Sequence, residues 1–189
     1  MEGLFVMEEL DLASSSADIN VMVVIDTDYV KDNYPNPSQD MNHPTGIDHK
    51  SQYMICTDPR GINNGQGSAD LSFKALPGDH VAFRGTSIYG NSDDAIIVYN
   101  IVHWSGDSVF NSFRHNFVKR TGAAVPDTSQ PTGLPALHEP INFTYIASDV
   151  SQHGTENFYV YFALYKMADD GETQNLFGYF YWDPTITVA

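Results

Sequence analysis

The sequence predicts an all-β protein, a single β-sandwich of two mostly antiparallel sheets with Greek-key or jelly-roll-like connections. Three observations carry that expectation. Short runs rich in β-branched and aromatic residues recur along the chain, several of them alternating in side-chain character. No long segment keeps apolar residues at i, i+3, i+4 and i+7, as an amphipathic helix must. Ten prolines and 14 glycines fall between the runs as turn punctuation. No internal repeat is present, which argues against a propeller; a closed barrel is the other alternative.

Residues 1–18 read as an N-terminal arm, either mobile or holding one amphipathic turn, ahead of a sandwich domain spanning 19–189. The first strand covers 19–26, where Ile19, Val21, Val23 and Ile25 share one face. Met22 and Val24 between them make it a central strand. A polar stretch from 27 to 50 follows, with Pro35, Pro37, Pro44 and Gly46 too frequent for a helix. Connections longer than about 12–15 residues are usually functional or disordered, so this one is a candidate for function. Further strands are expected at 52–57, 69–74, 80–86, 95–102, 141–147, 158–167 and 175–182. The GNSDD segment between two of them reads as a hairpin turn. Residues 122–140, with four prolines, read as a long crossover between sheets.

The 189 residues hold 24 Asp and Glu against nine Lys and Arg, a net charge of −15. An acidic surface repels nucleic acid and anionic membranes alike, so neither is expected as a partner. Cys56 is the only cysteine, which removes an internal disulfide. Glu2, Glu8, Glu9 and Asp11 stand where a signal peptide needs cations, and no apolar run approaches the roughly 20 residues of a membrane helix. A soluble cytoplasmic protein is the expectation, with release by a non-Sec route left open.

Catalytic signatures are missing: no G-x-S-x-G elbow, no P-loop, no G-x-G-x-x-G after a strand and no H-E-x-x-H. No catalytic residue is assigned and a non-enzymatic role is expected. The seven histidines are scattered, against a structural zinc. No cofactor is expected; calcium is the one open candidate, at Asp93-Asp94 or at Asp26, Asp28 and Asp48. Cys56 in an alternating strand reads as a small core residue, and Asn142-Phe143-Thr144 as a chance sequon.

Sugars bind by stacking C–H faces on aromatic rings while neighbouring polar groups take the hydroxyls. Two segments offer that pairing: Asp26, Tyr29, Asn33, Asn36, Asp48 and His49 on the long loop, and Trp104 at a strand end. The bland alternative is that the tyrosines pin the loop to the sheet and Trp104 plugs one end of the sandwich. Tyr159, Tyr161, Tyr179, Tyr181 and Trp182 read as core or subunit-interface material. Their strands carry more aromatic surface than one core face can use, so a homo-oligomer is expected.

Several motifs are more specific: V-x-I-D-T-x-Y closing the first strand, N-Y-P-N-P-S-Q-D, P-T-G-I-D-H and Q-Y-M, with the later A-I-I-V-Y-N-I and F-G-Y-F-x-W-D-P. In these the chain resembles the AidA/PixA family of bacterial inclusion-body proteins, over most of its length. The resemblance implies a non-enzymatic protein accumulating in the cytoplasm of host-associated bacteria, often under quorum-sensing or growth-phase control. It brings no catalytic residues. Some members are methionine-rich, whereas six methionines here are ordinary, which weakens storage of sulfur as a role. A carbohydrate-binding, lectin-like protein is therefore the leading expectation; an inclusion-forming storage or structural protein is the alternative, with an enzyme or adaptor behind both.

Overall fold

A computed structural model describes residues 15–57 and 59–189; residues 1–14, most of the expected arm, and Asp58 lie outside the described residues. β1 (Asp18–Ile25) buries Ile19, Val21, Val23 and Ile25 on one face, as the alternation requires. It is central, antiparallel to β3 (Gln52–Cys56) and parallel to β6 (His80–Ser87). β9 (Leu137–Asp149) and β8 (Arg114–Val125) complete the first sheet, in the order β3-β1-β6-β9-β8.

The second sheet is organised by β10 (Gly154–Met167). One edge of β10 pairs with β7 (Ala95–Gly106); the other pairs with β11 (Gln174–Trp182) and then with β12 (Thr185–Val188). β12 continues to β5 (Leu71–Phe73) and β4 (Ile62–Asn64), and β2 (Thr45–Gly46) lies along β11. Seven of the ten strand pairings are antiparallel; β1/β6, β2/β11 and β5/β12 are parallel. The architecture is the expected sandwich, with mixed sheets.

Phe158, Val160 and Phe162 of β10 and Phe180 and Trp182 of β11 point into the core, where they join Phe73, Phe83 and Ile146. Burying such side chains stabilises the fold by about 1.5–3 kcal/mol each. At Gly85 of β6 the sheets come very close. A Cβ there would stand 2.5 Å from both Ile96 Cδ1 and Val98 Cγ2 of β7.

Four expectations need correction. The 27–50 stretch opens with a helix, α1 (Thr27–Asn33), because its prolines begin only at Pro35 and Asp26 caps it by accepting from the Tyr29 amide at 3.0 Å. The 122–140 segment is no crossover: β8 and β9 are antiparallel neighbours in one sheet. Pro140 is tolerated because β9 has no strand on its outer side there and the ladder bulges between Arg120 and Ala123. GNSDD is no hairpin turn, since β6 and β7 belong to different sheets. Asp94 lies buried there, its carboxylate 2.5 Å from Lys31 Nζ. Finally, Trp104 does not plug the sandwich; it is 47% exposed. β8, β12, β4 and β2 were outside the expected strand set.

Candidate functional site

Alternation along β10 and β11 sends one set of rings inward and the other outward. The outward set is Tyr159, Tyr161, Tyr179 and Tyr181, all half-buried. β7 adds Tyr99 and Trp104. Trp104 stacks on Tyr159 at 5.6 Å and 14° between planes, and Tyr159 meets Tyr181 edge-on at 5.0 Å. Contacts at 5.8 Å continue from Tyr181 to Tyr161, to Tyr99 and to Tyr179. Six rings thus form one continuous tier across three strands. Burial, reinforced by Tyr161 and Tyr179, raises the Tyr99 hydroxyl to about 12. That hydroxyl donates to Met41 O at 2.8 Å, tying the tier to the long loop.

The loop itself is fastened to β11. The Ile47 amide donates to Tyr181 O and the Tyr179 amide to Ser38 O, both at 2.9 Å. The Gln39 side-chain amide donates to Phe177 O at 2.8 Å. A Cβ at Gly46 would lie 2.9 Å from the Tyr181 ring, so a glycine lets the loop lie flat on that tyrosine. The loop covers the edge of β11, a role that keeps an open strand from pairing with other chains.

Most of the expected ligand residues are engaged in holding this loop. Asp26 caps α1, and the Tyr29 hydroxyl donates to Asp48 Oδ2 at 2.8 Å. The Asp48 amide donates to the Tyr34 hydroxyl at 2.8 Å, and the Asn33 side chain donates to Tyr29 O at 2.9 Å. Asn36 is exposed. His49 Nε2 lies 2.9 Å from Asp183 Oδ1, with Nδ1 3.6 Å from Asp70 Oδ2. Burial would lower the His49 pKa, but Asp183 and Asp70 outweigh it and raise it above 6.5. Among the described residues no three His, Cys, Asp or Glu side chains are grouped as metal ligands. Asp28 instead accepts from Tyr89 at 2.5 Å and from Lys31 at 3.0 Å.

The end of β7, next to Trp104, is anchored by a carboxylate that sequence reasoning missed. Glu156 of β10 is 3% exposed and its Oε2 accepts from the Val109 and Phe110 amides at 2.7 and 3.0 Å. Its Oε1 lies 2.7 Å from His103 Nδ1, next to Trp104. A glutamate between two threonine- and asparagine-rich positions carries no sequence signal of such a role. The outward tyrosines did carry one, their alternation with Phe158, Val160, Phe162 and Phe180.

Four of the six motifs noted in the sequence fall on the same seam, joining β1, the loop and β11, while Q-Y-M lies on β3 and A-I-I-V-Y-N-I on β7. A family model for the inclusion body protein PixA matches residues 17–188. The chain belongs to the PixA family. A solved PixA structure, the inclusion body protein from Burkholderia cenocepacia J2315, is similar at 30% identity and a TM-score of 0.80, covering 95% of this chain and 100% of that one. No curated protein matches the chain. The PixA motifs acquire physical meaning from the seam. Within V-x-I-D-T-x-Y, Asp26 accepts from the Tyr29 amide and the Tyr29 hydroxyl reaches Asp48 of P-T-G-I-D-H; Tyr34 of N-Y-P-N-P-S-Q-D receives the Asp48 amide, and Asp183 of F-G-Y-F-x-W-D-P meets His49. Among the described residues no helix is long and apolar enough to cross a membrane.

Proposed function

We propose that this PixA-family chain is a non-enzymatic, self-assembling protein that accumulates as inclusions in the cytoplasm, copies meeting through the aromatic tier. The tier is the observation that carries the reading. Tyrosine and tryptophan supply large, rigid contact area, and both are enriched at protein interfaces. Six such rings in one sheet face, led by a half-open Trp104, offer a second copy an apolar bed with hydroxyls at its margin. The non-enzymatic part is supported by the commitment of the buried carboxylates to structure: Asp79 to Arg60, Asp94 to Lys31, Glu156 to backbone amides. Concentration-dependent sedimentation tests the proposal. Wild type should form species larger than a dimer as concentration rises, and Trp104→Ala with Tyr159→Ser should remain small while keeping its β-sheet circular dichroism. Equal assembly in wild type and variant would refute it.

Carbohydrate binding remains a second reading, because Trp104 combines a stacked neighbour with an open surface, the arrangement a sugar ring needs. Exposed Asn36 is the loop residue left to contribute from the expected set, since His49 already faces Asp183 and Asp70. Glycan-array binding competed by free sugar, and lost in Trp104→Ala, would favour this reading; an array without saturable signal would remove it.

A further inference from the structure

From Asn111 to Tyr145, 35 consecutive residues, not one side chain is buried. This segment contains all of β8 and most of β9, two of the longest strands among the described residues. β9 pairs with β6 only from Ile146 to Asp149. Among the described residues, no strand pairs with the outer edge of β9 from Leu137 to Tyr145, nor with the facing edge of β6 from Arg84 to Ser87. The hairpin therefore leaves the sheet as a two-stranded arm. Phe117 is 82% exposed, Leu134 65% and Phe143 48%. An isolated two-stranded hairpin is marginal in water, so an arm this long and this apolar calls for a covering surface.

Between the arm and the body lies a groove of about 890 Å³, with Phe117, Phe143 and Tyr145 on one wall and Arg84, Gly85 and Ile97 on the other. Arm and groove are parts of one feature, and a two-fold axis can satisfy both at once. We propose that two copies of this chain clasp each other, the arm of each lying in the groove of the other.

Two quantities select a second copy as the occupant. The first is charge. Residues 111–145 hold Arg114, Lys119 and Arg120 against Asp127 and Glu139, while the rest of the chain holds six cations against 22 carboxylates. The arm is close to neutral beside a body that is strongly acidic, and the groove lining carries Arg84 and Arg120 and no carboxylate, so the arm is the part of a second copy that this body repels least. The second is area. Twelve residues of strand extend about 40 Å and two strands are about 10 Å wide, giving about 400 Å² per arm face. Two arm faces and the two groove surfaces they cover total about 1,600 Å², the size of a standard stable interface.

The clasp does not depend on the inclusion reading. It yields a closed dimer, on a surface separate from the aromatic tier, whether or not larger assemblies form. Sedimentation velocity of the full chain should show a dimer that tightens with added salt, as the repulsion between two acidic bodies is screened. Phe117→Asp combined with Phe143→Asp should raise its dissociation constant at least about a hundredfold while circular dichroism stays as in wild type and thermal unfolding loses its dependence on protein concentration. Hydrogen exchange supplies a readout free of mutation: amides of 116–145 should be protected in concentrated protein and exchange faster on dilution. A monomer at every concentration, a dimer that survives the double substitution, or arm amides equally exposed at both concentrations would overturn the proposal. A dimer lost in Trp104→Ala but kept in the arm variant would overturn it too, and assign the dimer to the tier.

Discussion

Glu156→Ala should cost this protein about 3 kcal/mol. The carboxylate sits among buried neighbours and accepts from two amides, Val109 at 2.7 Å and Phe110 at 3.0 Å, whose own residues are 0% and 6% exposed. Alanine leaves both N–H groups without that acceptor, at about 1–3 kcal/mol each. The lower half of the combined range applies, because water can follow into the vacated volume. His103 adds little, since its side chain is 43% exposed and can rehydrate. Glu156→Gln is the matched control. Its carbonyl can keep both amides satisfied, so only the assistance of the charge is lost, about 1 kcal/mol. Urea titration followed by circular dichroism reads both, with unchanged slope, and the alanine midpoint in a thermal scan should fall by roughly 6–12 °C. An alanine variant within about 1 kcal/mol of wild type, or one no worse than glutamine, would refute the reasoning.

Acid should find a second anchor. Asp79 accepts from Arg60 Nε at 2.5 Å and from the Leu76 and Ala17 amides, and the Arg60 bond, opposed by burial, holds its carboxyl at about 2 against an ordinary 3.8. A depressed folded-state value means the contribution is whole above 3.8 and drains as pH falls through about 2. Stability of the wild type should therefore decline over that window more steeply than that of Asp79→Asn, measured by urea midpoints. His49 has the opposite sign: its pKa is raised on folding, so its pair with Asp183 stabilises below pH 6.5 and is lost as pH rises through the folded value. His49→Gln should cost stability in mild acid and nothing at about pH 9, where the imidazole is neutral; an equal cost at both would show that the charge is irrelevant. Gly85→Ala should cost about 1–3 kcal/mol by driving a methyl into Ile96 and Val98, and a neutral result would mean that β6 and β7 part easily.

The fold was legible where one strand face is dry. Ile19, Val21, Val23 and Ile25 announce β1, and the Phe and Trp positions of β10 and β11 announce the core. β8 was invisible for the complementary reason: RHNFVKRTGAAV buries neither face, so it has no alternation to display. α1 did carry its signature, Asp26 as cap, Asp28 in the first turn and Lys31 in the last; judging the stretch as a whole, by prolines that start eight residues later, hid it. Of the site, Trp104 and the long loop could be read from residue types. The joining of the tyrosines into one tier, and the bonds of Glu156 to His103 and to the Val109 and Phe110 amides, arise from contacts between segments distant in sequence, which local pattern does not encode.

The parallel pairing of β5 with β12 has a consequence for synthesis. Leu71 of β5 lies opposite Ile186 of β12, 115 positions later. At about 5–20 residues per second, the ribosome delivers that partner roughly 6–23 s after Leu71 itself. β10, the organiser of the second sheet, also arrives late. The strands β1, β3 and β6 can pair well before either, with Val21, Val23 and Phe83 facing no opposing layer. A polysome translating this message at high rate therefore holds many half-sandwiches side by side, each bare on the same face. How crowded the chains are during those seconds determines whether each closes on its own second sheet or on a neighbour's.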